Sequence, residues 1–154
     1  MNAAAPEIPM PLTIRAAAWN DLPAIRTIEQ RAPSASHWTA DQYNKLIRNG
    51  IVLVAEQAKI LCGFITAQEV AGEWEIENVV VAHEFLRQGI ATNLIGEVIR
   101  RAHAVSASVI RLEVRESNLA ARSLYEKLNF QQEGTRPAYY RNPEEPAILY
   151  AIKL

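Results

Sequence analysis

The feature that most constrains this chain is a strand, a glycine turn and a helix that follow one another over residues 74–102. β-Branched and apolar residues dominate from 73 to 82, which indicates a strand. Apolar residues then recur at helical spacing over 89–104. A strand that leads straight into an amphipathic helix favours a sheet covered by helices.

The remaining residues predict the order β-α-α-β-β-β-α-β-α-β-β, an α/β chain with an α+β mixed sheet. Further strands are expected over 12–16, 51–56, 60–70, 109–115, 130–133 and 148–153. Further helices are expected from Asn20 or Asp21 to 31, from Thr39 to 49, and from Ser117 or Asn118 to 128. A polar loop with prolines is expected to join the last two strands.

Length and charge restrict the classes of function. The 154 residues suit one domain over 12–154, preceded by a flexible tail over 1–11 that holds three prolines. A net charge of −1 predicts no general attraction to nucleic acid or to a membrane surface. The single cysteine, Cys62, is interpreted as a small buried hydrophobe rather than a nucleophile, and it fits a cytoplasmic protein.

The turn Arg87-Gln88-Gly89-Ile90-Ala91 has two interpretations. The start of a helix offers free N–H groups and a positive dipole end, and small residues let an anion approach the backbone closely. Such a turn suits a pyrophosphate. An ordinary strand-to-helix turn that needs a glycine is an equally good interpretation of these residues alone.

In the strand over 109–115, apolar and charged side chains alternate, so one face is apolar and the other is charged. Ile110, Leu112 and Val114 point one way, and Arg111, Glu113 and Arg115 point the other way. The polar face indicates either a cleft or an ordinary exposed sheet surface with solvated charges.

Four segments carry a resemblance to a known family. They are Asn78-Val79-Val80-Val81, the turn at Arg87, Leu112-Glu113-Val114-Arg115, and the run from Asn118 to Phe130. Together they resemble the GNAT acetyltransferase family, most closely its RimI-type ribosomal-protein alanine N-acetyltransferases. The resemblance covers residues 12–154. It implies a mixed sheet of about seven strands and about four helices, splayed between its fourth and fifth strands.

The resemblance also implies acetyl-CoA as co-substrate, with its pantetheine arm in the splay and its pyrophosphate on the glycine turn. The implied contacts are Val79, Val80, Val81, Arg87, Gln88, Gly89, Ile90, Ala91, Thr92 and Asn118. One position departs from the family, because Leu86 stands where Gln or Arg is usual. The apolar Leu86 side chain cannot make a polar contact to the phosphates.

For the chemistry, the resemblance implies Glu113 as proton acceptor and Tyr125 as proton donor. An α-amine is mostly protonated near neutral pH, since its pKa is about 7.7 to 8.0, so a base is needed. A phenol can protonate the departing thiolate. Glu75 and Glu77 compete for the role of base, and alternation predicts that they share a strand face with Val79 and Val81. Tyr125 also fits a core aromatic residue.

On the acceptor side, the segment over 36–39, with Trp38, resembles a family segment that shapes the acceptor groove. Arg136, Tyr139, Tyr140 and Arg141 resemble a second such segment near the C-terminus. For both segments, loop residues that simply pack on the core are an equal alternative. His37, His83 and His103 lack metal-ligand spacing, so no metal is expected.

The expected acceptor is therefore the N-terminal amine of a protein, by resemblance a small-subunit ribosomal protein that begins with alanine. A small-molecule amine or a lysine side chain is the alternative within the family. A non-catalytic acyl-CoA-binding or interaction module is the alternative of another class, and it would be marked by loss of Glu113, Tyr125 or Gly89.

Overall fold

The computed structural model of the protein describes residues 10–33, 35 and 37–154. Within these residues lie seven strands and four α-helices. The strands are β1 Leu12–Ala16, β2 Ile51–Gln57, β3 Ile60–Val70, β4 Glu73–Val81, β5 Val109–Arg115, β6 Gln131–Tyr140 and β7 Glu145–Lys153. The helices are α1 Leu22–Gln30, α2 Ala40–Asn49, α3 Ile90–Ala104 and α4 Leu119–Lys127. Short 3-10 turns occupy Trp19–Asp21 and His83–Phe85.

The strands form one sheet in the order β1-β2-β3-β4-β5-β7-β6. All neighbours are antiparallel except β4 and β5, which are parallel. A parallel pair needs a crossover, and α3 supplies it between these two strands. The order of elements predicted from the sequence, the mixed sheet and the numbers of strands and helices are confirmed.

The sheet separates two hydrophobic cores. The core beneath α3 and α4, called here the α3-side core, includes Leu94, Ile95, Ile110, Leu112, Val114 and Tyr150. The core beneath α1 and α2, called the α1-side core, includes Ile25, Tyr43, Phe64 and Val80. The central strands carry apolar residues on both faces, so each strand contributes side chains to both cores.

Two of the predicted helix starts differ in how they are capped. The Thr39 side chain accepts a hydrogen bond from Gln42 N at 3.2 Å, so the predicted cap of α2 is confirmed. Asp21 stands at the N-cap position of α1, but its side chain makes no capping bond there. Its carboxylate instead accepts from Ala18 N and from the guanidinium of Arg15, both at 2.7 Å. The Asp21 side chain therefore joins β1 to the start of α1.

The predicted loop between the last two strands is wrong. β6 continues to Tyr140 and β7 begins at Glu145, so only a short turn separates them. The polar residues of β6 are largely exposed, because β6 is the edge strand and pairs only with β7. An edge strand needs no apolar pattern, which is why the sequence resembled a loop.

Three sequence expectations concern the ends and the environment of the chain. Most of the tail predicted over 1–11 falls on residues 1–9, which lie outside the described residues. Cys62 is fully buried in the α3-side core, as expected for a small hydrophobe. Among the described helices, no helix has the length and apolar character needed to cross a membrane.

Candidate active site

β4 and β5 are hydrogen-bonded to each other only near their N-terminal ends. Parallel pairing runs from the Glu73–Val109 pair to the Ile76–Leu112 pair and stops there. Both strands continue beyond this level without pairing to each other. The sheet therefore opens between its fourth and fifth strands, at the place where the resemblance implied a splay.

A bulge in β4 lies at the same level as this opening. The register with β3 passes from the Thr66–Asn78 pair to the Ala67–Ile76 pair, so Glu77 is an extra residue in β4. A bulge of this kind bends its strand and increases the local twist. The bend helps to direct the second half of β4 away from β5.

The bulge also changes which face of the sheet each residue of β4 presents. Ile76 packs in the α3-side core before the bulge, and Val79 and Val81 pack against the same core after it. Glu75 alternates with Ile76 and so faces the other way. The prediction that Glu75 and Glu77 share a face with Val79 and Val81 is therefore wrong for Glu75, because it assumed an unbroken strand.

A cleft of about 470 Å³ occupies the opening. It brings together both predicted catalytic residues, the two rival bases, three residues of the predicted acceptor segments and two of the predicted cofactor contacts. These lining residues are Trp38, Glu75, Glu77, Val79, Glu113, Asn118, Tyr125, Tyr139 and Tyr140. The residues of the glycine turn do not line this cleft.

Glu113 projects into the cleft from β5. Its neighbours Leu112 and Val114 belong to the α3-side core, so the Glu113 side chain faces the side of α1 and α2. Arg136 Nη1 lies 3.3 Å from Glu113 Oε1, and the side chain is 17% exposed. The interaction of the Tyr139 hydroxyl with this carboxylate raises the pKa of Tyr139 above its ordinary value. The polar face of β5 is thus a cleft wall, not a plain exposed surface.

Tyr125 enters the cleft from the opposite side of the sheet. It lies on α4 and packs against the α3-side core, with its ring centroid 6.0 Å from that of Phe130 and 6.1 Å from that of Tyr150. Burial raises the pKa of Tyr125 to about 12. Within the described residues its hydroxyl makes no hydrogen bond to the protein. A protonated phenol therefore has its donor hydrogen free at the cleft.

The backbone of β4 offers hydrogen-bond donors to the same opening. Ala82 N–H donates to Cys62 O at 2.8 Å, and the register continues with the Val81–Gly63 and Val80–Phe64 pairs. Hydrogen-bonded and non-hydrogen-bonded pairs alternate in an antiparallel ladder, so Val80 N–H also points to β3. The N–H groups of Val79 and Val81 point the other way, toward the unpaired edge facing β5.

Glu75 and Glu77, the rival bases, differ in their surroundings. Glu77 accepts a hydrogen bond from Gln68 Nε2. Burial raises the pKa of Glu77, and the nearby charge of Glu75 adds to this effect. Glu75 is exposed at the cleft mouth. Three carboxylates, counting Glu113, therefore line one cleft, which suits an acceptor that carries positive charge.

The glycine turn lies beyond the C-terminal end of β4. Gly89 is the N-cap of α3 and adopts φ 77°, and Arg87 adopts φ 63°. A Cβ on Gly89 would meet only Asn93 Nδ2, at 3.9 Å, so the glycine is needed for its backbone angle and not for space. Leu86 is exposed and lines a separate apolar depression beside α1.

The first N–H groups of α3 lack partners within the helix, as at any helix start. They belong to Ile90, Ala91 and Thr92, next to the exposed Arg87 and Gln88. Ile90 supplies only its backbone here, because its side chain is buried in the α3-side core. The turn thus presents backbone donors, a helix dipole and one guanidinium on an open surface. These groups fit the phosphates of acetyl-CoA.

Aromatic side chains border the cleft on the side of α1 and α2. The Arg115 guanidinium lies 4.5 Å from the ring centroid of Tyr140, and Tyr139 stacks edge-to-face on Tyr140 at 5.0 Å. Burial raises the pKa of Tyr140 to about 12. Trp38 faces these residues from the loop between α1 and α2. Asn118 also lines the cleft, and its side chain caps α4 by accepting a hydrogen bond from Ala121 N at 3.2 Å.

Three polar residues near the site were missed by sequence reasoning. They are Glu29, Tyr43 in its hydrogen-bonding role, and Gln68. The burial of Glu29 could have been predicted, because Glu29 stands four residues after Ile25 on the apolar stripe of α1. Gln68 gave no such signal, since the bulge that places Glu77 beside it is not visible in the pattern.

The histidines do not form a metal site. His37, His83 and His103 are exposed and belong to different segments. In the described part of the chain, no group of three or more His, Cys, Asp and Glu residues is arranged to hold a metal ion.

Comparison with known proteins gives a consistent result. The model of the acetyltransferase (GNAT) family matches residues 14–130. The [ribosomal protein bS18]-alanine N-acetyltransferase of Escherichia coli is 32% identical over 146 residues, covering 92% of this chain and 97% of that protein. The crystal structure of the Escherichia coli ribosomal-protein-alanine N-acetyltransferase gives a TM-score of 0.85 at 31% identity, covering 92% of this chain and 93% of that one.

A more distant structure shares the fold alone. Arabidopsis thaliana NAA60, solved in complex with acetyl-CoA, gives a TM-score of 0.86 at 17% identity, with 94% of this chain and all of that chain covered (100%). The chain belongs to the GNAT acetyltransferase family. It is an acetyl-CoA-dependent N-acetyltransferase of the RimI-like type, which favours the enzyme over a non-catalytic module.

Proposed function

We infer that this enzyme acetylates the N-terminal α-amine of a protein, with a small-subunit ribosomal protein beginning with alanine as the acceptor in the cytoplasm. The observation that carries the inference is the cleft through the sheet, with Glu113 on one side and Tyr125 on the other. The 32% identity to the bS18-specific relative over 92% of this chain supports the acceptor.

Acetyl-CoA is expected to enter from the side of α3 and α4. The backbone N–H groups of Ile90, Ala91 and Thr92, together with Arg87 and Gln88, would hold the pyrophosphate. Asn118 and the free edge of β4 would hold the arm that carries the thioester. CoA supplies the activated acetyl group and a thiolate leaving group, and the residues of the chain supply position and protons.

Glu113 is the proposed general base. It would accept a proton from the acceptor ammonium, directly or through a water, so that the amine becomes nucleophilic. Arg136 and Tyr139 already contact this carboxylate, so they orient it in the absence of an acceptor. The amine would arrive between Trp38 and Tyr139, on the face of the sheet that Glu113 occupies.

Tyr125 is the proposed general acid. Because burial raises its pKa to about 12, the phenol stays protonated through the physiological range. Its free hydroxyl would donate to the sulfur as the thiolate departs. The N–H groups of Val79 and Val81 would stabilise the negative charge that develops on the acetyl oxygen. The peptide N–H of Val80 points to β3 and is not expected to take part.

Glu77 is a weaker candidate for the base than Glu113. The hydrogen bond from Gln68 already occupies one of its oxygens. Glu75 lies at the mouth of the cleft, where it suits binding of a cationic acceptor better than proton transfer.

The test compares two peptides of one sequence that begins with alanine, one with a free N-terminus and one with a blocked N-terminus. Acetylation of the free peptide alone supports the proposal. Equal acetylation of both would show that the acceptor is a lysine side chain. Faster turnover of small amines than of the free peptide would show a small-molecule acceptor. Mass spectrometry of ribosomal-protein N-termini in cells with and without the gene then identifies the natural acceptor.

A further inference from the structure

The carboxylate of Glu29 is buried in the protein interior. Glu29 is 2% exposed on the apolar stripe of α1, beside Ile25 and Ile28. A buried carboxylate is costly unless it is hydrogen-bonded or paired, so its contacts indicate why it is there. One of its oxygens contacts the segment that leads from α1 into α2, and the other contacts Tyr43 within α2.

One oxygen of Glu29 holds the backbone of the Trp38 loop. Trp38 N–H donates to Glu29 Oε1 at 3.2 Å, and His37 Nδ1 lies 3.7 Å from the same oxygen. Residues 37–39 belong to neither a helix nor a strand. Their position over the cleft therefore depends on side-chain contacts, and the Glu29 carboxylate supplies one of them.

The other oxygen of Glu29 accepts a hydrogen bond from the hydroxyl of Tyr43. Tyr43 is fully buried, and its ring centroid lies 5.5 Å from that of Trp38 and 6.1 Å from that of Phe64. Burial, reinforced by the hydrogen bond and charge of Glu29, raises the pKa of Tyr43 above its ordinary value. The phenol is therefore a stable donor to the carboxylate.

Tyr43 also reaches the opposite wall of the cleft. Its hydroxyl interacts with the side chain of Asn78, a buried residue of β4, and this interaction opposes the rise in the pKa of Tyr43. Tyr43 also belongs to the same buried cluster as Val80 of β4. Asn78 lies between the bulge at Glu77 and Val79, whose N–H faces the opening. Trp38 and Asn78, the two ends of this chain of contacts, both line the cleft.

We propose that Glu29 and Tyr43 are positioning residues for the acceptor, because they fix the Trp38 loop relative to the strand that orients the thioester. The proposal rests on the proposed function in one respect, since it takes the acceptor to enter between Trp38 and β4. Neither residue touches the reacting atoms. The chain of contacts runs from the Trp38 N–H through Glu29 and Tyr43 to Asn78.

The test uses two conservative variants of the full chain, Tyr43→Phe and Glu29→Gln. Tyr43→Phe keeps the ring packing and removes only the hydroxyl. In Glu29→Gln one carbonyl oxygen replaces two carboxylate oxygens that accept from two donors, so one donor loses its acceptor. Ile25→Val is the matched control, because it weakens the same core on the same helix without touching the chain of contacts.

Acceptor affinity is the first readout. In both variants we expect the KM for the peptide to rise about tenfold, the size expected for a lost hydrogen bond to a charged group. The KM for acetyl-CoA is expected to change less than about twofold, since the glycine turn is untouched. The double variant is expected to resemble either single variant, because both break one chain. A peptide KM no higher than that of Ile25→Val would overturn the proposal.

Hydrogen exchange of the Trp38 backbone N–H is the second readout, and it needs no acceptor. Faster exchange in Tyr43→Phe and Glu29→Gln, with an unchanged rate in Ile25→Val, supports the proposal. Unchanged exchange in the two variants would overturn it. If wild-type enzyme fails to acetylate the peptide, the proposed acceptor is wrong, and the exchange measurement still decides whether Glu29 and Tyr43 hold the loop.

Discussion

Glu113 and Tyr125 lie on opposite faces of the sheet and meet at the opening between β4 and β5. Glu113 alternates with Leu112 and Val114 of the α3-side core and so faces α1 and α2, whereas Tyr125 packs on the α3 side. Both line one cleft. An acceptor and an acyl donor can therefore approach from opposite sides, each next to its own proposed proton-transfer residue. This arrangement suits direct transfer without an acyl-enzyme.

Replacement of Glu113 by Gln keeps the shape of the side chain and removes its basicity. We expect kcat/KM to fall about 100-fold or more, as general bases contribute about 10² to 10⁴. The loss should be greatest near neutral pH, where the acceptor amine is mostly protonated, and smaller as the amine itself deprotonates at higher pH. A pH–rate profile checks both statements.

The matched controls for this change are Glu75→Gln and Glu77→Gln, which remove the other carboxylates of the cleft. We expect both to act mainly on the KM of the acceptor. If Glu77→Gln abolished turnover while Glu113→Gln turned over almost normally, the base would be Glu77.

Replacement of Tyr125 by Phe removes a hydroxyl that has no protein partner in the described residues. We expect kcat to fall about 100-fold, with a change in unfolding free energy below about 0.5 kcal/mol. Tyr150→Phe is the control, since the Tyr150 hydroxyl bonds Glu126 Oε1 at 2.8 Å away from the cleft. It should lose about 1 kcal/mol of stability and keep its kcat.

The pH dependence of the wild type gives a second check on Tyr125. The folded-state pKa of Tyr125, about 12, is above the unfolded value. The neutral phenol is therefore favoured by folding, and this contribution is present below about pH 10 and is lost as pH rises toward 12. Activity is expected to persist to pH 10 without loss of the proton donor. A fall in kcat centred near pH 8 that is absent in Tyr125→Phe would contradict this assignment.

Gly89 and Gly96 offer a matched pair on α3. Gly89→Ala must hold φ 77° with a Cβ, which costs about 1 to 2 kcal/mol, and it should raise the KM for acetyl-CoA. Gly96 lies inside the helix with open space around its Cβ position. Gly96→Ala should stabilise the protein by about 0.5 to 1 kcal/mol and leave that KM unchanged. Thermal unfolding and steady-state kinetics measure the two effects, and equal KM values in both variants would mean that the turn does not bind the cofactor.

The contact between Arg15 and Asp21 predicts how stability depends on pH. The hydrogen bond from Arg15 lowers the pKa of Asp21, and burial opposes this effect. Stability from this carboxylate is therefore present above its unfolded pKa of about 3.9 and is lost as pH falls through the lower folded value. Asp21→Asn should lose about 1 to 3 kcal/mol at pH 7, with a difference from wild type that shrinks below about pH 4. Glu116→Gln, which changes an exposed carboxylate, is the control for the loss of one negative charge.

The sequence predicted those strands and helices whose apolar and polar residues repeat with a clear period. The alternation of Ile110, Leu112 and Val114 with charged residues placed β5 and the face of Glu113 correctly. The end of β6 at Tyr140 could not be predicted in this way, because an edge strand has little burial to constrain its sequence.

The sequence by itself determined the strand, the glycine turn and the helix α3, because periodicity and the positive φ of Gly89 are local properties. It also determined the family, and through it the expectation that Glu113 and Tyr125 act together. Only the tertiary structure decided that β4 leaves β5 after Ile76, that a bulge at Glu77 turns Val79 toward the opening, and that Glu29 holds Trp38. Each of these depends on register and contact between segments distant in the chain, which no local pattern encodes.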